Sequence, residues 1–186
     1  MRWLLIGAGG CLLLLLIVLI GFGGCAAALI GIGASGGGGG EQSPEDKYAA
    51  AKKKAAPIGE TVTAGDVAWT VQSVEQVTEL KSLGQRKRGN FVVVNVIFKN
   101  NGDEAATLDS SSLAILDDKG RTSETDPDAS MYVPTNQDLF LNQVNPGVSK
   151  QGRAIFNVAP DAKGLILRAG DTNPFGGEDA YVDLGI

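Results

Sequence analysis

Carboxylates are the side chains of this sequence whose type and spacing come nearest to a reactive or binding site. Asp117 and Asp118 are followed closely by Glu124, Asp126 and Asp128. Loops that are rich in oxygen ligands can bind Ca²⁺. The spacing is not that of an EF-hand, however, because no Asp-x-Asp-x-Asp-Gly run leads to a glutamate. We favour a solvated turn and loop without a metal ion. If a metal does bind, its candidate ligands are the four aspartates.

A second cluster of charge, close in sequence, has the opposite sign. Lys81, Arg86, Lys87 and Arg88 form a basic loop between two segments that alternate like strands. The favoured interpretation is a soluble hairpin tip. The alternative is that the three consecutive cations, Arg86 to Arg88, contact an anion, a glycan or another component of the cell envelope.

Two residue types that usually carry catalysis are missing from most of the chain. The sequence contains no histidine, and its two cysteines, Cys11 and Cys25, both lie in an apolar N-terminal segment. The rest of the chain therefore has no thiolate nucleophile, no cysteine zinc site and no His-dependent triad. Ser149 and Lys150 are neighbours, so on a strand they would point to opposite faces rather than form a dyad. We expect no enzymatic activity and no cofactor.

The overall charge also excludes a class of partner. The chain has 16 basic and 21 acidic side chains, which give a net charge of -5. Binding to nucleic-acid phosphates requires a basic face. The composition therefore predicts no nucleic-acid partner.

The elements that would position these residues begin with the N-terminal segment, residues 3–32. This segment follows Arg2, contains no charge and is almost entirely apolar or glycine. It is longer than the roughly 20 residues that a transmembrane helix needs, so we expect residues 3–32 to contact a membrane. We favour a retained helix. One alternative is a lipoprotein signal that is cut before Cys25, with lipid on that thiol, and another is ordinary cleavage. Phe22 stands where such signals usually have leucine, which argues against the lipid anchor.

A linker and a short helix are expected next. Residues 36–40 are five glycines, which predict a flexible joint. Ser43 fits a helix N-cap, Pro44 fits the first helical position, and three lysines at 52–54 suit the C-terminal end. The favoured interpretation is a solvated spacer. The alternative is that these lysines, with Lys47, touch anionic lipid head groups.

From residue 58 onward the hydrophobic pattern has a period of two. Residues 91–98 are apolar on both faces, which predicts a central buried strand, and Trp69 is expected to fill the core between two sheets. Strands are expected at residues 61–62, 67–72, 91–98, 106–108, 113–116, 153–158, 165–167 and 180–184. Residues 99–102 are expected to turn through positive φ angles, and Pro146-Gly147 to form a type II turn. The domain organisation is therefore an anchor at 1–33, a linker and helix at 34–57, and a β-sandwich at 58–186.

Several segments of this domain carry a resemblance to a known family. They are residues 58–60, Trp69 and Val71, and residues 89–96, 99–102, 116–120, 145–149 and 156–161. In this order they resemble the bacterial domain of unknown function 4352 family, an immunoglobulin-like extracellular or lipoprotein domain that is similar to a secreted immunogenic antigen. The resemblance covers residues 58–186. It implies an all-β, immunoglobulin-like antiparallel β-sandwich outside the cytoplasm, and it implies no catalytic residues.

These observations predict a membrane-tethered module at the bacterial cell surface, with its C-terminal domain extracytoplasmic. We expect it to bind an unknown protein or envelope partner without enzymatic activity, and the long loop at 122–143 is one place where such domains bind. The alternative is a cell-surface protein that binds a small ligand or calcium through the acidic residues at 117–128. A polar pocket would favour the alternative, whereas an exposed apolar patch would favour the interaction module.

Overall fold

The computed structural model describes residues 43–173 and 177–186, all of which belong to one compact unit. The described residues form one α-helix, eleven strands and three 3-10 helices. The α-helix is α1 (Pro44–Lys54), and the 3-10 helices are η1 (Ser110–Ser112), η2 (Pro127–Tyr132) and η3 (Thr135–Gln137). The strands are β1 (Ala56–Pro57), β2 (Thr61–Ala64), β3 (Val67–Ser82), β4 (Gln85–Asn100), β5 (Ala106–Thr107), β6 (Leu113–Leu116), β7 (Thr122–Glu124), β8 (Gln143–Val144), β9 (Ser149–Asn157), β10 (Ile166–Gly170) and β11 (Asp179–Asp183).

Two sheets face each other across the core. The first has the strand order β1-β11-β10-β6-β7 and the second β2-β3-β4-β9, while β5 and β8 form a separate pair. Neighbouring strands are antiparallel except for β1 and β11, which are parallel. The expectation of an antiparallel β-sandwich is therefore confirmed.

Trp69 links the two sheets, as the sequence predicted. Its side chain is fully buried, and its ring meets Phe98 edge-on with 5.0 Å between centroids. The indole Nε1 donates a hydrogen bond to the carbonyl oxygen of Gly170, in the opposite sheet, at 3.0 Å. A buried indole needs such a partner, so this bond fixes the position of the ring between the sheets.

The helix α1 has the predicted ends but not the predicted role. The Ser43 hydroxyl accepts from the backbone N–H of Asp46 at 3.1 Å, which caps the helix. The expectation of a solvated spacer is wrong, because Ala51 is buried against the outer face of the first sheet and the Tyr48 hydroxyl donates to the Gly164 carbonyl at 2.9 Å. Lys52 also forms an ion pair with Asp183. The helix is therefore part of the sandwich domain.

The outer face of the second sheet is covered as well. Ala129 and Tyr132 of η2 pack on Phe91, Val93 and Ile155, whereas the alternate residues of β4 face the central core. This explains why residues 91–98 are apolar on both faces. Much of the predicted loop at 122–143 therefore covers the core.

The hairpin of β3 and β4 extends beyond the rest of its sheet. β2 pairs only with the first four residues of β3, and β9 pairs with residues 91–99 of β4. A bulge follows, where Thr78 lies opposite both Gly89 and Asn90. Residues 79–88 form a two-stranded ribbon beyond this bulge, which we call the arm. Among the described residues, no third strand pairs with the arm.

Within the described part of the chain, no helix is long and apolar enough to cross a membrane. The predicted membrane segment at residues 3–32, the glycine joint and the lipidation candidate Cys25 lie outside the described residues.

Candidate interaction surface

The four aspartates predicted as candidate metal ligands lie in two places, and each pair has its own hydrogen bonds. Asp117 is buried, accepts from the backbone N–H groups of Lys119 and Arg121, and receives the Arg121 Nε at 2.6 Å. Asp118 donates its backbone N–H to the Lys163 carbonyl at 2.9 Å. This part of the acidic stretch is therefore a turn held by Asp117.

The other two candidate ligands lie beside the arm. Asp126 caps η2 by accepting from the Ala129 N–H at 3.1 Å, and both of its carboxylate oxygens accept from Lys87, at 2.9 and 2.8 Å. The Asp128 carboxylate lies 3.9 Å from the same ammonium. Among residues 43–173 and 177–186, no three Asp, Glu, His or Cys side chains are grouped to hold a metal ion. The structure does not bring the four aspartates together as a calcium site.

A cleft of about 1140 Å³ lies at the end of the sandwich where β3 begins and β4 ends. Its acidic lining residues are Asp66, Asp103, Glu104, Asp109, Asp171, Glu178 and Asp179. Several of these carboxylates accept hydrogen bonds from their own loops. Asp109 accepts from the Ser111 N–H at 2.8 Å, and Asp171 accepts from the Asn173 N–H at 3.0 Å. The sequence did not reveal this cleft, because its residues come from loops that are far apart along the chain.

Asn100 holds the chain reversal beside this cleft. The residue is 1% exposed, and its Nδ2 donates to the carbonyl oxygens of Glu104 at 2.7 Å and Val144 at 2.9 Å. Its Oδ1 accepts from the Gly102 N–H at 2.9 Å. The prediction of positive φ angles at residues 99–102 is wrong, since the asparagine side chain makes the turn instead. The turn prediction at Gly147 is confirmed in that its φ is +75° and the Val148 N–H bonds to the Asn145 carbonyl at 3.1 Å.

The tip of the arm is a two-residue turn that consists of Leu83 and Gly84. Both have positive φ, +47° and +80°, as in the type I′ turns that join tight hairpins. Glycine and asparagine favour this conformation, whereas for leucine it costs about 1–2 kcal/mol. The Leu83 side chain is also fully exposed. A strained backbone and an unburied apolar side chain thus occur at the same residue, as they also do at Leu141, but only Leu83 lies at the tip of the arm.

One face of the arm is basic. Lys81, Arg86 and Arg88 surround Glu79, with the Lys81 Nζ at 2.9 Å and the two guanidinium groups each at 3.8 Å from its carboxylate. The three cations are 62%, 66% and 88% exposed, whereas Glu79 is 22% exposed. A single carboxylate therefore opposes three solvent-facing cations.

The opposite face of the arm is anchored to η2. Leu80 is buried in the cluster that contains Ala129, and the Lys87 ammonium lies 5.9 Å from the centre of the Phe91 ring while it binds Asp126. Gly89 makes room for that ring, because a Cβ there would lie 2.7 Å from the Phe91 Cζ. The arm is thus attached to η2 through this face, and its basic face remains exposed to solvent.

The predicted basic loop is therefore corrected in two respects. Its cations lie on the strands of the arm rather than in a loop, and Lys87 faces the protein while Arg86 and Arg88 face solvent.

Burial raises the pKa of the Asp126 carboxyl, but the hydrogen bonds from Lys87 and Ala129 outweigh this and hold that pKa below its usual value of 3.8. The Asp126 carboxylate therefore stays ionised and, by accepting from Lys87, fixes the arm.

The fold and this surface define a small β-sandwich domain with a projecting basic hairpin. A family model described as a domain of unknown function (DUF4352) matches residues 56–180, which is more than half of the chain. The chain belongs to this family, and the resemblance predicted from the sequence is confirmed.

Solved structures share the fold at low sequence identity. The yjhA protein from Bacillus subtilis is 16% identical with a TM-score of 0.53, over 68% of this chain and 97% of that one. A functionally unknown protein from Listeria monocytogenes EGD-e is 13% identical with a TM-score of 0.51, over 67% and 80%. The secreted protein MPT63 from Mycobacterium tuberculosis is 11% identical with a TM-score of 0.49, over 69% and 95%. No curated protein matches the chain.

Proposed function

We propose that this chain is a membrane-tethered, extracytoplasmic interaction module without enzymatic activity, and that the arm is its contact element. The observation that carries the proposal is Leu83, which is fully exposed at a strained turn, on a ribbon that pairs with no third strand of the described residues. Backbone strain that does not serve packing is typical of functional sites. A contact to another molecule accounts for both unfavourable features of this residue.

The tether in this proposal is the apolar segment at residues 3–32, retained as a helix, with a lipid on Cys25 as the alternative anchor. Two features support this tether: the segment is apolar over its whole length without interruption, and a basic residue precedes it. An N-terminus inside the cell places the domain outside. The absence of enzymatic activity is supported by the lack of histidine and by the position of both cysteines in that segment.

The alternative that uses the acidic residues at 117–128 has less support. Asp117 and Asp126 hold turns and ion pairs of the scaffold, so their oxygens are already occupied. The cleft beside Asn100 is polar, but its carboxylates Asp109 and Asp171 accept from neighbouring backbone groups. We therefore assign the contact to the arm.

Photo-crosslinking in living cells tests the role of the arm. A photoreactive amino acid at Gln85, next to the tip, should give adducts with another molecule. The same amino acid at Val148, an exposed residue of the turn that follows β8, should not. Adducts from Val148 together with none from Gln85 would move the contact away from the arm and refute the proposal.

Two further measurements test the tether and the location. Intact-mass analysis of the membrane-extracted protein should give a chain that begins at Met1 with no lipid. A chain that begins at a lipidated Cys25 would replace the helix by the lipid anchor. A membrane-impermeant amine reagent should label lysines of the domain on intact cells, and labelling that requires cell lysis would contradict the extracytoplasmic location.

A further inference from the structure

The charge and the apolar tip of the arm together point to one kind of partner. We infer that the arm docks on a lipid surface with anionic head groups, where Leu83 enters the interface and Lys81, Arg86 and Arg88 contact phosphates. This inference rests on the proposed function, in which the arm is the contact element.

Leu83 favours a lipid surface over a soluble polyanion. Its side chain is fully exposed at the outermost turn of the ribbon, where nothing in the described chain covers it. A hydrated polyanion offers no apolar region for such a side chain, whereas the boundary between head groups and acyl chains does. A polyanion site would also be served by asparagine at this position, which suits the turn better than leucine.

The cations of the arm are positioned to contact the same lipid surface as Leu83. Lys81 pairs with Arg86 across the ribbon, and Glu79 pairs with Arg88, so all four side chains share one face. Guanidinium groups bind phosphate oxygens through two parallel hydrogen bonds, and Arg86 and Arg88 are the more exposed cations. Each cation near an anionic leaflet strengthens binding about fivefold.

The arm needs little ordering before it docks. Leu80 and the Lys87–Asp126 pair fix its other face on η2, so the ribbon that carries the turn and the cations is already attached in the free protein. A contact surface that is already ordered loses less entropy on binding. One leucine and three cations form a weak and reversible contact, of the strength expected for a module that is anchored elsewhere.

The test uses the full chain, reconstituted in vesicles, with Cys11→Ser and Cys25→Ser to remove the native thiols. Gln85→Cys carries an environment-sensitive fluorophore beside an intact Leu83, and Val148→Cys carries it in the control. In vesicles of equal parts phosphatidylglycerol and phosphatidylcholine, we expect blue-shifted emission at position 85 that a lipid-borne quencher suppresses. We expect neither effect at position 148, nor at position 85 in phosphatidylcholine alone.

Variants separate the contributions of the tip and of the cations. Leu83→Asn, which suits the turn and preserves the fold, should abolish the shift. Arg86→Ala with Arg88→Ala should weaken docking about thirtyfold. Glu79→Gln, which removes the opposing charge, should strengthen docking about fivefold. Lys99→Ala with Lys163→Ala, two exposed cations outside the arm and α1, is the matched control and should change nothing.

Three outcomes of the vesicle experiment would overturn the inference. One is a fluorophore at position 85 whose emission shows that it remains in water. Another is the same emission at position 85 in anionic vesicles and in phosphatidylcholine alone. The third is an equal loss from the Lys99 and Lys163 control. Binding of soluble polyphosphate that does not depend on Leu83 would also reject the lipid surface. A protein adduct from Gln85 in cells without quenching in vesicles would overturn the lipid assignment alone. If position 85 gives neither an adduct in cells nor quenching in vesicles, the proposed interaction role of the arm would be overturned as well.

Discussion

The two ends of the β3–β4 ribbon, roughly 50 Å apart along the strands, use their charged side chains differently. At the end with the acidic cleft, Asp109, Asp171 and the buried Asn100 bind backbone groups of their own loops, and Asn100 also binds the Val144 carbonyl. At the arm, Lys81, Arg86 and Arg88 face solvent and outnumber their one carboxylate. The cleft end therefore stabilises the fold, whereas the arm retains an exposed surface that the fold does not need.

The difference shows that a concave shape alone does not identify a binding site in this molecule. The cleft has a volume of about 1140 Å³, yet several of its polar groups already have partners within the chain. The arm is not concave, but Leu83 has a positive φ that destabilises the folded state, and its exposed side chain contributes no burial in return. Substitutions at the two ends should consequently have opposite effects on stability.

The largest effect is expected from Asn100→Ala at the cleft end. The change leaves the carbonyl groups of Glu104 and Val144 and the N–H of Gly102 without their partner. Buried groups left unpaired should lower the free energy of unfolding by about 2–4 kcal/mol. Urea denaturation measures this, with the exposed Asn101→Ala as the control. Equal losses from the two variants would show that the side chain of Asn100 does not hold this end.

A smaller loss is expected where the arm joins the body. Lys87→Met keeps the aliphatic stem but removes the ammonium that binds Asp126 and lies over Phe91. We expect a loss of about 1–2 kcal/mol and faster amide exchange in residues 79–88. The control is Arg88→Met, whose side chain is 88% exposed. Unchanged exchange in the Lys87 variant would mean that the arm does not depend on this anchor.

As the pH falls, the attachment of the arm to η2 should weaken at a higher pH than the one at which the apolar core is affected. Asp126 has a pKa below its ordinary 3.8, and at the surface Lys119 and Arg121 lower the pKa of Asp161 to about 2. A lowered pKa in the folded state contributes stability above the unfolded value of 3.8, and this stability is lost as pH falls through the folded value. Unfolding free energy measured from pH 5 to about 2 should therefore decrease. Asp126→Asn should flatten part of that decrease, and an unchanged slope would contradict the role of the pair.

The strands were predictable because they rest on local patterns. Alternation at residues 67–72 and the apolar run at 91–98 identified β3 and β4 but not their extension through residues 73–82 and 85–90, and Ser43 with Pro44 placed the start of α1. The bulge opposite Thr78 was not predictable, since it depends on the register between two strands. Lys87 lies on the opposite face from Arg86 and Arg88 because successive residues of a strand alternate between faces, which was missed because this run was assigned to a loop.

The candidate site was predictable only in part. The run Arg86 to Arg88 was identified as an alternative contact, but Leu83 was missed because an isolated leucine beside glycine carries no hydrophobic pattern. Its φ of +47° and its full exposure become visible only in three dimensions. A leucine-glycine pair between two alternating segments is the signal that could have indicated it, since such turns favour asparagine or glycine at both positions.

Leu83→Asn tests the central claim, that the tip is kept for contact rather than for stability. Asparagine accepts the positive φ of this turn, and the lost side chain is fully exposed, so urea denaturation should give a gain of about 0.5–1 kcal/mol. Leu80→Asn, which changes a buried residue of the same arm, should give a clear loss. A lower free energy of unfolding in Leu83→Asn would show that the leucine supports the fold, and it would contradict the division of roles between the two ends.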